Sequence, residues 1–337
     1  MRDVTIRMAR SLVALTTFGA GLASSEACSQ EAPSGDELVK VTAASVVHEA
    51  RAGEWFLIGF RFEIAPHWHI YWANPGDSGA PTVIEVNAPE GFEVGAILWP
   101  RPLNIPGEFI TYGYEHDATL FVPVKPPKDA SPGEVALTAS VEWMVCRDEC
   151  LLGGSTVSAT VRVSNQPAPP KPIAGVREVT ITGADGAHAR HAIRFDREAA
   201  LKAFDRVPRD LASEMGATIE LSGRRVVLTG PAPGGAAGSS GSDTPAATGL
   251  EFFPNPSPGV AMRVIEQSVS DGRFRLVLET IVSPTNTRGV PPQAAGVIGL
   301  TPMDPANHRS YGFRLRLDTD GPMSKDTSTG RDGAGTG

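Results

Sequence analysis

The sequence predicts an all-β protein built as two β-sandwich domains in tandem. Three observations point there. Short β-rich runs, many of them alternating, recur between turn signals along most of the chain. No convincing amphipathic helix falls between residues 38 and 165. A proline-rich stretch, residues 166–174 (QPAPPKPIA), separates two such sets of strands. Short strands at regular spacing suggest sandwiches.

In order, the first domain (38–165) contains these runs: Leu38 to Val47, Trp55 to Ile64, His67 to Trp72, Pro81 to Val86 and Ala96 to Trp99. A loop from Pro100 to Gly107 follows, then the aromatic run Glu108 to Tyr114, then Ala118 to Val124. In the third run, His67, His69 and Tyr71 would share one face and Trp68, Ile70 and Trp72 the other. Asn74-Pro75-Gly76-Asp77-Ser78-Gly79 is a turn cluster in which Asp77 would cap its own turn. Val135, Leu137, Ala139, Val141, Trp143 and Val145 alternate, as do Val157, Ala159, Val161 and Val163.

The second domain (175–320) opens with Val176 to Ile181 and Ala192 to Phe195, then a short helix over Glu198 to Phe204. Thr218 to Leu221 and Arg225 to Leu228 flank a Ser222-Gly223 turn. Residues 231–248 (PAPGGAAGSSGSDTPAAT) are low-complexity and read as a disordered insertion. Strands are expected over Gly249 to Phe253, Met262 to Val269, Arg273 to Ile281, Gly296 to Leu300 and Ser310 to Leu317. The polar tail, 321–337, reads as disordered. This half contains no cysteine and no clustered His or acidic motif.

Composition bounds the function. The chain has 337 residues, 41% of them hydrophobic and 20% charged, which is ordinary for a globular protein. A net charge of -8, spread along the chain, argues against nucleic acid as a partner. Arg2, Arg7 and Arg10 precede the short apolar run 11–23, with small residues near Ala23 and Ala27. Residues 1–27 therefore read as a secretory signal, too short to span a bilayer. Cys28 is a possible lipid-attachment point, but Glu26 makes a poor lipobox. Export would place the cysteines where disulfides form and persist.

The chemistry centres on Trp143-Met144-Val145-Cys146-Arg147-Asp148-Glu149-Cys150, where one strand ends and the chain turns back. Alternation puts Cys146 on the face opposite Val145, away from the core. A structural disulfide would contribute little, because so short a loop is worth only about 2 kcal/mol in chain entropy. A redox pair is the sharper reading, because the charged turn should be exposed and exposed disulfides are exchangeable. Arg147 would favour a thiolate, and Asp148 and Glu149 would oppose it. A metal site is the third reading: His67, His69, Cys146 and Cys150 form a two-His, two-Cys set suited by ligand type to zinc or copper.

His69-Ile70-Tyr71-Trp72-Ala73-Asn74-Pro75-Gly76-Asp77-Ser78-Gly79-Ala80-Pro81-Thr82 resembles the YWxNPGDSGxPT block of periplasmic DsbD-type thiol–disulfide interchange proteins, especially the suppressor-of-copper-sensitivity (ScsB-like) branch. Trp99-Pro100, Tyr112-Gly113-Tyr114-Glu115 and the Cys146/Cys150 pair continue the likeness in order over about residues 38–165. Phe252-Phe253-Pro254 onward resembles that branch's second sandwich more loosely.

The resemblance implies immunoglobulin-like sandwiches, a periplasmic location and an exchanging pair at Cys146 and Cys150. It implies no cofactor. Phe109, after Glu108, matches a cap aromatic that shields the disulfide. His69 and Tyr71 match positions beside the cysteines, with Tyr112 close by in the aromatic run. A histidine at 69 departs from the better-known members and could stabilise a thiolate if protonated, or carry a proton. Implied partners are periplasmic thioredoxin-like or disulfide-bearing proteins, and a separate membrane electron-relay protein, because this sequence carries neither that relay nor a CxxC domain. Roles in cytochrome c biogenesis or copper tolerance are expectations of the same kind.

Overall fold

A computed structural model describes residues 33–166, 173–183, 186–232, 249–283, 293–301 and 310–317. The signal segment, Cys28, most of the linker, most of the 231–248 insertion and the tail lie outside the described residues. The fold is all-β, as the patterning predicts.

After one helical turn, α1 (Gly35–Leu38), come β1 (Val39–Ser45), β2 (Glu49–Arg51), β3 (Phe56–Ile64), β4 (His69–Gly76), β5 (Val83–Asn87) and β6 (Glu93–Val94). Then follow β7 (Leu103–Ile105), β8 (Thr111–Glu115), β9 (Asp117–Lys125), β10 (Gly133–Cys146) and β11 (Cys150–Ser164). One sheet has the order β1-β3-β9-β6; the other runs β2-β11-β10-β4-β8-β7, with β5 also on β10. Phe60, Phe62, Leu120 and Val122 from the first sheet share a core with Ile70, Trp72, Val141, Trp143 and Val145 from the second. Phe62 and Trp143 meet edge to face at 6.3 Å. Each such side chain contributes about 1.5–3 kcal/mol on full burial. The sandwich is therefore held by this alternating apolar set, against which a short-loop disulfide worth about 2 kcal/mol is minor.

The second half adds β12 (Gly175–Thr182), β13 (His188–Phe195), α2 (Glu198–Phe204), β14 (Arg209–Asp210), α3 (Leu211–Met215), β15 (Thr218–Ser222) and β16 (Arg225–Pro231). It ends with β17 (Gly249–Pro254), β18 (Val260–Ser270), β19 (Arg273–Val282), β20 (Gln293–Thr301) and β21 (Ser310–Arg316). The hairpin β12–β13 and α2 pack on the first core through Val179, Ile181, Ile193, Phe195 and Phe204. A second core, including Leu211, Leu228, Phe274, Leu276, Ile298 and Phe313, lies with the sheets β14-β21-β20-β17 and β15-β16-β19-β18.

Three local expectations are corrected. The strand expected from His67 begins only at His69 and runs on to Gly76. Ala65 to Trp68 is a turn closed by Trp68 N–H to the Ala65 carbonyl (3.1 Å), with His67 at φ +69° after Pro66. Proline at the second position and positive φ at the third suit a type II turn. Within the stretch read as loop, Leu103 to Ile105 forms a strand, because it pairs with β8. The aromatic run is extended only from Thr111, which leaves Glu108 and Phe109 in the connecting loop.

Candidate functional site

β10 and β11 form a hairpin in unbroken register from Gly133↔Val163 to Cys146↔Cys150. Arg147 N–H closes the turn on the Glu149 carbonyl at 3.1 Å. Cys146 and Cys150 are joined by a disulfide. Val145 faces the core and Cys146 the other side, as strand alternation requires. Cys146 is nevertheless only 3% exposed, while Cys150 is exposed. The two cysteines of one bond therefore differ in exposure.

The strand β4 supplies the neighbours. His69 is paired with Cys146 across the sheet. His69 and Tyr71 stand on one face and touch edge to face at 5.2 Å. The Tyr71 hydroxyl lies 3.8 Å from Cys150 Sγ. Burial pushes the Tyr71 phenol pKa up, so it keeps its proton and can donate to sulfur. Burial pulls the His69 pKa down, partly offset by the Glu115 carboxylate paired with it on β8. Its Nε2 is buried without a hydrogen-bond partner. This histidine favours the neutral form and offers a place for a proton rather than a standing positive charge.

The turn after β4 wraps back over this face. Asn74, not Asp77, caps it: Asn74 Oδ1 accepts from Gly76 N–H at 3.2 Å. Asp77 instead bridges to the neighbouring loop, its carboxylate accepting from Ile110 N–H (3.0 Å) while Asp77 N–H donates to the Ile110 carbonyl (2.8 Å). Gly79, at φ +92°, lies against the Tyr71 ring so closely that a Cβ would overlap it. Sequence patterning marked this cluster as a turn, but it held no sign that Gly79 seats Tyr71.

The remaining candidates divide. Glu108 and Phe109 lie in the exposed loop tied to Asp77, with Phe109 57% exposed. Tyr112 points to the opposite face of the sheet and packs on Trp72 and Phe253. Arg147 pairs with Asp148 (2.9 Å) and stacks over Trp68 (4.9 Å). Its charge is thus partly spent on neighbours other than the sulfurs. His67 sits exposed on its turn, one residue short of the strand that carries His69. Among the described residues no group of three or more His, Cys, Asp or Glu side chains is placed to hold a metal ion. No helix among them is long and apolar enough to cross a membrane.

The fold and site define a β-sandwich that presents a disulfide at a hairpin tip, one cysteine exposed and the other buried. Residues 35–161 match the family model of the thiol:disulfide interchange protein DsbD, N-terminal. That stretch is a DsbD-type N-terminal domain. Among solved structures, the N-terminal periplasmic domain of ScsB from Proteus mirabilis is 14% identical, with TM-score 0.48, over 84% of this chain and 95% of that one. A family 123 glycoside hydrolase from Clostridium perfringens is 13% identical, with TM-score 0.23, over 39% of this chain and 28% of that one. No curated protein matches the sequence.

Proposed function

We propose that the chain is a periplasmic thiol–disulfide exchange protein that passes reducing equivalents through Cys146 and Cys150 to or from partner proteins. One observation carries the reading: within a DsbD-type domain, Cys150 is exposed beside a protonated tyrosine hydroxyl, and its bonded partner Cys146 is buried. Thiol–disulfide exchange needs an approach to one sulfur in line with the bond that breaks, so access decides which sulfur reacts.

In the reducing direction, the Cys150 thiolate attacks one sulfur of a partner disulfide. A Cys150–partner bond forms, the partner's bond breaks and its second sulfur leaves as a thiolate. The Cys146 thiolate then attacks Cys150 Sγ, restores the internal disulfide and releases the partner fully reduced. Two electrons pass from the pair to the partner, and the reverse sequence reloads it. Tyr71 would stabilise the Cys150 thiolate by donating a hydrogen bond from its hydroxyl to the sulfur while keeping its proton, and His69, paired with Cys146, would accept or return that cysteine's thiol proton. Phe109, exposed on the loop tied to Asp77, would act as a cap by folding over the disulfide, to be displaced by a docking partner. The partners are thioredoxin-like or disulfide-bearing proteins, with a membrane relay protein as the source of electrons.

Trapping tests this. In Cys146→Ala the mixed disulfide cannot be resolved, so a Cys150-linked adduct with a thioredoxin-like domain should accumulate on a non-reducing gel. Cys150→Ala should give at least tenfold less. Equal trapping by both variants, or by neither, would overturn the assignment of Cys150 as the reacting sulfur.

A further inference from the structure

The second half of the chain touches the strand that carries Tyr71, and does so from the far side of the sheet. Trp72, the residue after Tyr71, points inward and meets Phe253 of β17 at 6.3 Å. Tyr112 completes the group, 5.4 Å from Phe253 and 6.3 Å from Trp72. Two residues further on, the side-chain amide of Asn74 does two things. Nδ2 donates to the Pro254 carbonyl at 2.8 Å, and Oδ1 accepts from Gly76 N–H at 3.2 Å. Asparagine carries a donor and an acceptor on one short side chain, which this double contact requires.

Pro254 is a firm anchor. It is paired with Gly296 of β20, and the next residue, Asn255, donates to the Ala295 carbonyl at 3.0 Å. β17 also alternates between the two cores: Phe253 belongs to the first, and Phe252 stacks on Phe313 against the second at 6.1 Å. On the other side of Asn74, the turn leads directly to the site. Asp77 holds Ile110 of the Glu108–Phe109 loop, and Gly79 forms the seat of the Tyr71 ring, whose hydroxyl reaches Cys150.

We propose that Asn74 is a positioning residue through which the second half of the chain sets the Tyr71 hydroxyl at Cys150. The proposal rests on the reading of Cys150 as the reacting sulfur, and it gives β17 and the β20 strand that holds it a role in the chemistry. If β17 and the Asn74 amide part, the turn over β4 loses its outer anchor. The Tyr71 seat and the Glu108–Phe109 loop then move together. The warrant is a continuous set of contacts, and the coupling itself must be measured.

The measurement is the pKa of the Cys150 thiol in the reduced full chain, from the pH dependence of iodoacetamide alkylation followed at the Cys150 peptide by mass spectrometry. Tyr71→Phe removes the donor and should raise that pKa by roughly half a unit to one unit, a threefold to tenfold slower alkylation near neutral pH. Asn74→Ser keeps an acceptor for Gly76 N–H but is too short to reach Pro254. It should raise the pKa in the same direction, and combined with Tyr71→Phe it should add nothing further. Phe253→Leu loosens the same joint without touching Asn74 and should also raise it, which keeps the test open if Asn74→Ser does not fold. Wild-type values in Asn74→Ser and Phe253→Leu, or effects that add to that of Tyr71→Phe, would overturn the proposal. Failure of the exchange reading looks different: the coupling would persist in the reduced chain while the disulfide proved too stable to exchange.

Discussion

Cys150 and Cys146 share one bond but not one environment, and that asymmetry is set by single residues. The turn Arg147–Glu149 is exposed and leaves Cys150 at the surface, while Cys146 lies under the face occupied by His69. His69 carries a pH signature. Its folded-state pKa is pulled below 6.5 by burial, with Glu115 pushing the other way. The unfolded chain then binds more protons between the folded value and 6.5, so stability is complete above the unfolded pKa and is lost as pH falls towards the folded one. Urea midpoints measured from pH 7.5 to pH 5 should fall more steeply in wild type than in His69→Gln. Parallel curves would mean that the imidazole is not desolvated in the folded protein.

At the scale of elements, the hairpin and the turn after β4 do different work. The alternation of β10 is legible from the sequence because one face is apolar throughout, Leu137, Ala139, Val141, Trp143 and Val145 all being buried. The same periodicity places Cys146 away from the core. What periodicity does not carry is how a turn folds back on a sheet. His67 reads as strand by pattern, yet Pro66 and its own positive φ make it a turn residue. Asp77 reads as a cap, yet its carboxylate is taken by Ile110, a contact 33 residues away in sequence. Gly153 and Gly154 precede the alternating run that starts at Val157, yet they lie within β11. There a side chain on Gly153 would strike the Trp143 indole, and Gly154 N–H meets the Asp36 carboxylate at 2.6 Å. Gly79→Ala is the sharpest test at this scale. It adds a Cβ against the Tyr71 ring at a left-handed φ, and should cost about 1–3 kcal/mol in urea unfolding. A change below about 0.5 kcal/mol would show that the ring is not seated on Gly79.

Across the whole molecule, stability and chemistry are assigned to different parts. The first core runs through both sheets and takes in β12, β13, α2 and Phe253, and beside that burial a short-loop disulfide worth about 2 kcal/mol is the smaller contribution. Arg101 deepens the joint between the halves: it is nearly buried, paired with Glu251 and placed over the Phe253 ring at 5.6 Å. None of this was visible in the sequence, because Arg101 and Glu251 are distant along the chain and belong to no motif. The likeness of the 69–82 block and the cysteine pair to one family, by contrast, was visible at once. A frame held chiefly by its core can keep most of its packing while that bond opens and closes. The most direct test is therefore the reduction potential of the Cys146–Cys150 pair in the full chain, by thiol trapping across a dithiothreitol or glutathione series. The account predicts a value between about -270 and -120 mV, the range spanned by thioredoxin and the periplasmic oxidant. A value well below about -300 mV would mark a permanent structural disulfide and contradict it.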